Sequence, residues 1–387
     1  MKSQPYTVKD YLKLLKHYSS VAVDLALYSL LSEDREAALE VLKVESQIDN
    51  IYEELVAKVS IAVRSPDDAN IAVAIANIGR ALDKVSDAAG DLAGLILRGY
   101  PVHDYVKAAV NCCNEIVALL KAKRRVKDIP AIIDLLVVRR GDSYILAPSF
   151  HSLEKGDMLV VRGLAEEIEE LAGLVGDEEG AKRLSKTSYI SVARAGDDLA
   201  EGIIRIKSLA RSVLDLAFHV LVYGDRSLVS IITELEDEVD YLFHNVLEKS
   251  YAASQAGIAR EMVSVAVFAS TMEQLADSAV QMTRAVEKSG HLTLVEEALE
   301  EEEEAFLRVR ATSRVAGKTI GELGLSDMGI NVIAIGRGGS WIIPVRPDYT
   351  LEEGDILLLK YYKPKGEASE ERIETQLERM GFEVLEE

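Results

Sequence analysis

Four acidic pairs carry the most chemistry in this sequence of 387 residues: Glu45 and Asp49, Asp83 and Asp87, Glu236 and Asp240, Glu273 and Asp277. Within each pair the residues stand four apart, so on a helix both carboxylates project from one face. Like charges at that spacing cost about 0.2–0.5 kcal/mol per pair in an isolated helix, so their recurrence asks for a compensating partner. Two such helices packed face to face would bring four carboxylates together. That is a hard-oxygen site suited to divalent or iron-type ions such as Fe, Mn, Mg, Ca or Zn, and bundle cores often host one. His244 follows Asp240 by four residues and adds a nitrogen donor. The competing reading is that acid pairs in an acidic chain lie on solvated faces, and that a duplication copies whatever preceded it. Against this, Asp49 and Asp240 directly follow Ile48 and Val239, at the edge of an apolar stripe.

The elements that must position these acids occur twice. Val23–Arg35 aligns with Leu214–Arg226 without a gap, and Glu45–Asp49 with Glu236–Asp240 in the same register. Asp83–Asp87 then falls on Glu273–Asp277, and Leu153-Glu-Lys-Gly-Asp157 on Leu351-Glu-Glu-Gly-Asp355. Conserved order and spacing across four blocks identify a tandem duplication. Residues 7–122 and 190–304 read as helices. Val41, Val44, Ile48, Ile51 and Leu55 recur at three or four, as do Ile232, Leu235, Val239, Leu242 and Val246. Pro66, after Ser65, fits a first helical turn. Each helical part precedes a β-rich part. Turns are expected at Arg139–Ser143 and Leu153–Asp157, and strands at Met158–Arg162, Leu307–Ala311, Val332–Gly336, Trp341–Ile343 and Ile356–Tyr361. Ala165–Val175 and Ser369–Met380 read as amphipathic helices.

Composition narrows the function classes. Aromatics make up 6%, so Leu, Ile, Val and Ala must fill the cores, which favours helix bundles. A net charge of −21 repels phosphate backbones and anionic lipid, so no nucleic-acid partner is expected. The short basic run Lys121–Arg125 reads as a partner for a helix C-terminus. Adjacent Cys112 and Cys113 do not form a disulfide framework; they read as small buried helix residues in a reducing cytoplasm. No apolar run reaches the roughly 18 residues of a membrane span. No P-loop, nucleophile elbow or Cys/His zinc spacing is present. Gly336-Arg-Gly-Gly-Ser340 lies between two strands and does not open a helix, so NAD binding is not expected.

The paired E/D-x-x-x-D motifs on a helical repeat resemble the PhoU family, over residues 7–120 and 190–300. That resemblance implies three-helix bundles with metal clusters on the motif carboxylates. Where the family's second motif usually reads Arg-Ile-Gly-Asp, this chain has Lys84-Val-Ser-Asp87 and Gln274-Leu-Ala-Asp277. Val315–Leu325, Asn331–Arg337 and Leu351–Asp355 together resemble the C-terminal ligand-binding domain of TrkA-type potassium-uptake regulators, over 305–363. The first copy keeps only Ile132–Gly163 of this pattern. The resemblance points to Arg337 as a holder of an anionic ligand such as cyclic di-AMP, because guanidinium binds phosphate bidentately. Arg139 is its expected counterpart in the first half, and Asn331 a further ligand candidate. A solvent-facing hairpin role for the arginines and a turn role for Asn331 stay open.

The expected class is α+β, predominantly α. Two PhoU-like antiparallel bundles (1–122 and 185–304) are each followed by a small TrkA-C-like domain, truncated at 123–178 and joined to a C-terminal helix at 305–387. The expected function is a cytoplasmic, non-enzymatic regulator of inorganic ion transport, with potassium or another cation foremost. It would sense metal or a small ligand such as a nucleotide and would partner a membrane transporter or channel as a homodimer. The alternatives are a PhoU-like regulator of phosphate uptake and a metallohydrolase.

Overall fold

The computed structural model describes residues 6–110, 116–127, 134–141, 143–146, 152–163, 165–177, 198–289, 293, 295, 304–325, 328, 330–343, 345–362 and 369–385. Cys112 and Cys113 lie outside them, as does most of the acidic connector 300–304. The chain divides into two compact units, one holding 1–129 and 135–300, the other 130–134 and 301–387.

The first unit opens with three long helices, α1 (Val8–Ser32), α2 (Arg35–Ala62) and α3 (Pro66–Leu97). Each start is locally encoded. Thr7 and Asp10 form a reciprocal capping box, the Asp34 carboxylate accepts from two N–H groups of α2, and Ser65 caps α3 with Pro66 in the first turn. Val41, Val44, Ile48 and Leu55 face inward on α2 and are fully buried. Each such side chain adds roughly 1.5–3 kcal/mol of burial. A short α4 (Asp104–Val110) follows. The second copy repeats the three long helices as α6 (Asp198–Tyr223), α7 (Val229–Ala253) and α8 (Ala259–Ser289).

The two three-helix bundles share a seam in which α3 and α8 run antiparallel. Across it Lys84 Nζ donates to Gln281 Oε1 at 3.0 Å, Thr271 Oγ1 to the Ala88 carbonyl at 3.4 Å and the His103 N–H to Ser264 Oγ at 3.0 Å. Buried Ala88, Ala89, Ala93, Ala276 and Ala279 on these helices permit close backbone approach.

Between the bundles in chain order comes a four-stranded sheet: β1 (Ile116–Lys121), β2 (Asp134–Arg140), β3 (Ser143–Leu146) and β4 (Met158–Gly163), in spatial order β1-β4-β2-β3. Residues 116–121 are therefore strand, where the sequence pattern predicts helix. Ile-Val-Ala-Leu-Leu is an apolar run that suits either, and antiparallel pairing of Lys121 with Met158 decides it. α5 (Ala165–Val175) covers the sheet with buried Ile168, Leu171, Ala172 and Val175. The basic run does meet a helix C-terminus, but it is that of α5. Arg124 donates to the Gly173 and Leu174 carbonyls, each at 2.6 Å.

The second unit has the same sheet with one strand more. β5 (Glu304–Ala311), β6 (Ile330–Arg337), β7 (Ser340–Ile342), β8 (Ile356–Tyr362) and β9 (Phe382–Val384) stand in order β7-β6-β8-β5-β9. Matching β1, β4, β2 and β3 to β5, β8, β6 and β7 reproduces the order, so the first copy has all four shared strands. Its shortfall is the added edge strand and the turn α9 (Ile320–Leu323). Strands and helices, including α10 (Ser369–Met380), enclose Val309, Ile335, Leu357, Leu359 and Leu377. Leu153 and Leu351 are buried beneath equivalent turns, and Gly156 and Gly354 follow at φ 102 and 92. Those left-handed values explain glycine at both places.

Candidate functional site

The helix pairs bring the motif acids together in both copies. Along the α2–α3 seam, Glu45 and Asp49 meet Asp83 and Asp87. Burial first, then the charges of Asp87, Asp49, Asp91 and Asp83, push the Glu45 carboxyl up to about 7. Asp83 rises to about 6, through burial, the Asp87 and Asp49 charges and a hydrogen bond with Asp49. Asp87 is also raised, by burial and then Asp49 and Asp91, although Arg80 and Lys84 pull it down. Gly90 makes room for this arrangement: a Cβ there would stand 2.4 Å from Glu45 Oε2.

The α7–α8 seam repeats the pattern. Glu236 is pushed up to about 7 by burial, a carboxyl–carboxyl hydrogen bond with Asp277 and the charges of Asp277, Asp237 and Asp240. Glu273 is raised by burial, Asp277 and Asp240, while His244 lowers it. His244 Nε2 lies 3.4 Å from Asp240 Oδ1.

The expected divalent or iron-type ion on Glu45, Asp49, Asp83, Asp87, Glu236, Asp240, Glu273 and Asp277 requires correction. Among the described residues no group of three or more His, Cys, Asp or Glu is set to hold a metal. Spacing supplies the reason. Acids four apart on one helix step about 6 Å along its axis. They line a seam and do not surround a point. Crowded carboxylates in such a seam relieve repulsion by retaining protons. Asp91 belongs to the first seam and escaped the pairwise reading, although Asp83, Asp87 and Asp91 form an unbroken run at four-residue spacing.

The sheets hold acid in the opposite way. In the second unit Arg337, at the end of β6, donates through Nε and Nη2 to both oxygens of buried Asp355, at 2.7 and 2.6 Å. Its Nη1 donates to Glu352 at 2.6 Å and its Nη2 to the Thr350 carbonyl at 2.9 Å. The guanidinium also stacks 5.1 Å from the centre of the Tyr349 ring. These contacts tie the strand end to the turn that precedes β8. In the first unit the same grip is made by Arg140, which donates to Asp157 at 2.9 and 2.7 Å. The Glu154 N–H and the Glu352 N–H complete the two turns by donating to Asp157 and Asp355.

Arg140, and not Arg139, is therefore the counterpart of Arg337. Arg139 instead donates to Glu36 at the start of α2, at 2.5 Å, with Asp34 at 3.9 Å. Alternation along a strand sends neighbouring side chains to opposite faces, so a shift of one residue exchanges the roles. Asn331 is half-buried on β6, opposite Lys360. It lies about 20 Å along the strand from Arg337, so the two do not form one site.

The PhoU domain family matches residues 12–96 and 203–286, and the TrkA-C domain family matches residues 305–364. The chain carries two PhoU domains and one TrkA-C domain. Both are regulatory domains without catalytic activity, and this PhoU/TrkA-C chain is a regulatory module. A search of curated proteins finds no match. Among solved structures the chain is similar to the GsuK channel, at 14% identity and TM-score 0.18, over 79% of this chain and 66% of that one. It is also similar to the GsuK RCK domain, at 14% and 0.19 over 81% and 79%. A third similar structure is the GsuK channel bound to NAD, at 14% and 0.17 over 78% and 65%. The PhoU/TrkA-C chain thus spans slightly less than two thirds of the channel's length. The exclusion of NAD drawn from the glycine pattern does not hold. A missing G-x-G-x-x-G run rules out one binding mode only.

Proposed function

We propose that this PhoU/TrkA-C chain regulates a membrane cation transporter or channel, with potassium as the foremost ion, from the cytoplasmic side. One observation carries the reading: a TrkA-C domain stands as a compact unit on the same chain as a duplicated PhoU body. The helical body serves as the scaffold that meets the transporter. The TrkA-C unit receives a small ligand, a nucleotide being the favoured class, and the ligand shifts the chain between two states by binding one more tightly. Two copies of the chain pair to present their TrkA-C units together. Arg337 contributes by fixing the turn Leu351–Asp355, since its donors are already engaged within that turn.

No helix among the described residues is long and apolar enough to cross a membrane. The reading calls for a membrane partner. Its test is affinity capture of the full chain from detergent-solubilised membranes, followed by potassium flux in vesicles with and without the chain. Capture of a cation transporter whose flux the chain alters supports the reading; flux unchanged by the chain overturns it. The PhoU matches over both helical copies favour a second reading, regulation of phosphate uptake. Loss of the chain would then alter phosphate uptake and leave potassium uptake unchanged.

A further inference from the structure

We propose that the first β-sheet is docked on the helical body by an ionic latch that loosens as ionic strength rises. The sheet is held near both ends of its strand order. At one end, β1 packs against α1. Near the other, the β2–β3 hairpin reaches the start of α2 through Arg139, which meets Glu36 at 2.5 Å and Asp34 at 3.9 Å. The two attachments differ in kind. Strand β1 presents buried Ala118 and Leu120, whereas the hairpin attachment is a charge pair open to water, with Arg139 25% and Glu36 67% exposed.

Screening separates them. At about 0.15 M salt the Debye length is about 8 Å, and an exposed pair loses much of its attraction as salt increases. Apolar packing is not weakened in this way. Loss of the ionic point thus frees the hairpin end, while the packing of β1 on α1 stays. The next residue, Arg140, binds Asp157 ahead of β4, so the hairpin and β4 move together. The second unit lacks this residue: beside its Arg337 stands Gly336 in place of Arg139. The latch is therefore a property of the first copy. It deepens the transport reading on which it rests, because a regulator of cation flux would respond to the salt concentration that the flux sets.

The test is hydrogen exchange of the β2–β3 amides in the full chain, in 20 mM and 500 mM KCl. At low salt Arg139→Gln and Glu36→Gln should each speed exchange about two- to fivefold, the range expected of an exposed ion pair. The double variant should be no faster than either single one, and Arg139→Lys should stay near the parent. High salt should bring the parent up to the variants. Exchange of α8 amides, unchanged throughout, shows that the fold is intact. Equal exchange in parent and variants, additive effects or insensitivity to salt would each overturn the latch. The measurement needs no transporter, so it stands or falls apart from the transport reading.

Discussion

The helical seams and the sheet turns both withdraw carboxylates from water, and they neutralise them by opposite means. Glu45 and Glu236 sit among other acids and keep their protons to about pH 7. Asp157 is more deeply buried, and burial pushes its carboxyl up. Hydrogen bonds from Arg140 and the Glu154 N–H, with the Arg140 charge, outweigh that push and hold it below the ordinary value. Burial alone does not decide the protonation of an acid; what stands opposite does. The turns pair each buried acid with an arginine. In the seams, Glu45, Asp83 and Glu236 change charge within the ordinary pH range.

The largest break in this contrast should come at the second turn. Arg337→Ala leaves Asp355 buried without its cation, and should cost the second unit about 3 kcal/mol. The single tryptophan, Trp341, lies on β7, so its fluorescence reports unfolding of this unit. An unchanged denaturation midpoint would refute the clamp. Arg140→Ala should cost less, about 1.5 kcal/mol, since Arg140 is 44% exposed and Arg337 29%. Hydrogen exchange of β4 checks it, and equal losses in the two units would erase the distinction.

Neutralising a seam acid should have the reverse sign. At pH 8 Glu45 is ionised among other carboxylates, so Glu45→Gln should stabilise the helical body. The gain is on the order of 1 kcal/mol after allowance for solvent screening, and thermal unfolding at pH 8 and pH 5 measures it. The benefit should disappear at pH 5, where the parent residue is already neutral.

The pH profile follows the same logic. A carboxyl raised in the folded state binds more protons there than in the unfolded chain. Stability from Glu45 and Glu236 is therefore greatest below 4.5 and falls as pH rises to about 7; the Asp83 window runs from 3.8 to about 6. Asp157, lowered on folding, contributes above 3.8 and loses its contribution as pH falls through its folded value. Urea unfolding across pH 3–8 should show the helical body weakening toward alkaline pH, and the first sheet losing the Asp157 contribution at the acid end. The smallest effect should come from Asp91→Asn, which removes one charge beside Glu45 and should let Glu45 titrate lower in a carboxyl NMR titration.

Much of the architecture was legible in the residues. The repeat, the apolar stripes of α2 and α7, the Ser65–Pro66 helix start and the glycine turns at Gly156 and Gly354 are local signals, and each appears in the fold. The acid pairs were legible as well, because a four-residue step on a helix leaves only one common face. Three features were not. Ile116–Lys121 suits helix or strand equally, and only its pairing with β4 settled which. Arg139 and Arg140 are adjacent and chemically identical, and strand alternation alone determined which one grips Asp157 and which reaches Glu36. Whether the acids would surround a point or line a seam depended on how two helices align along their axes. Each of these rests on a partner far away in the chain. Sequence determined the elements and the faces they present, because those follow from neighbours a few residues apart; tertiary structure decided what each face meets, and through that whether a carboxylate keeps its proton or gains a cation.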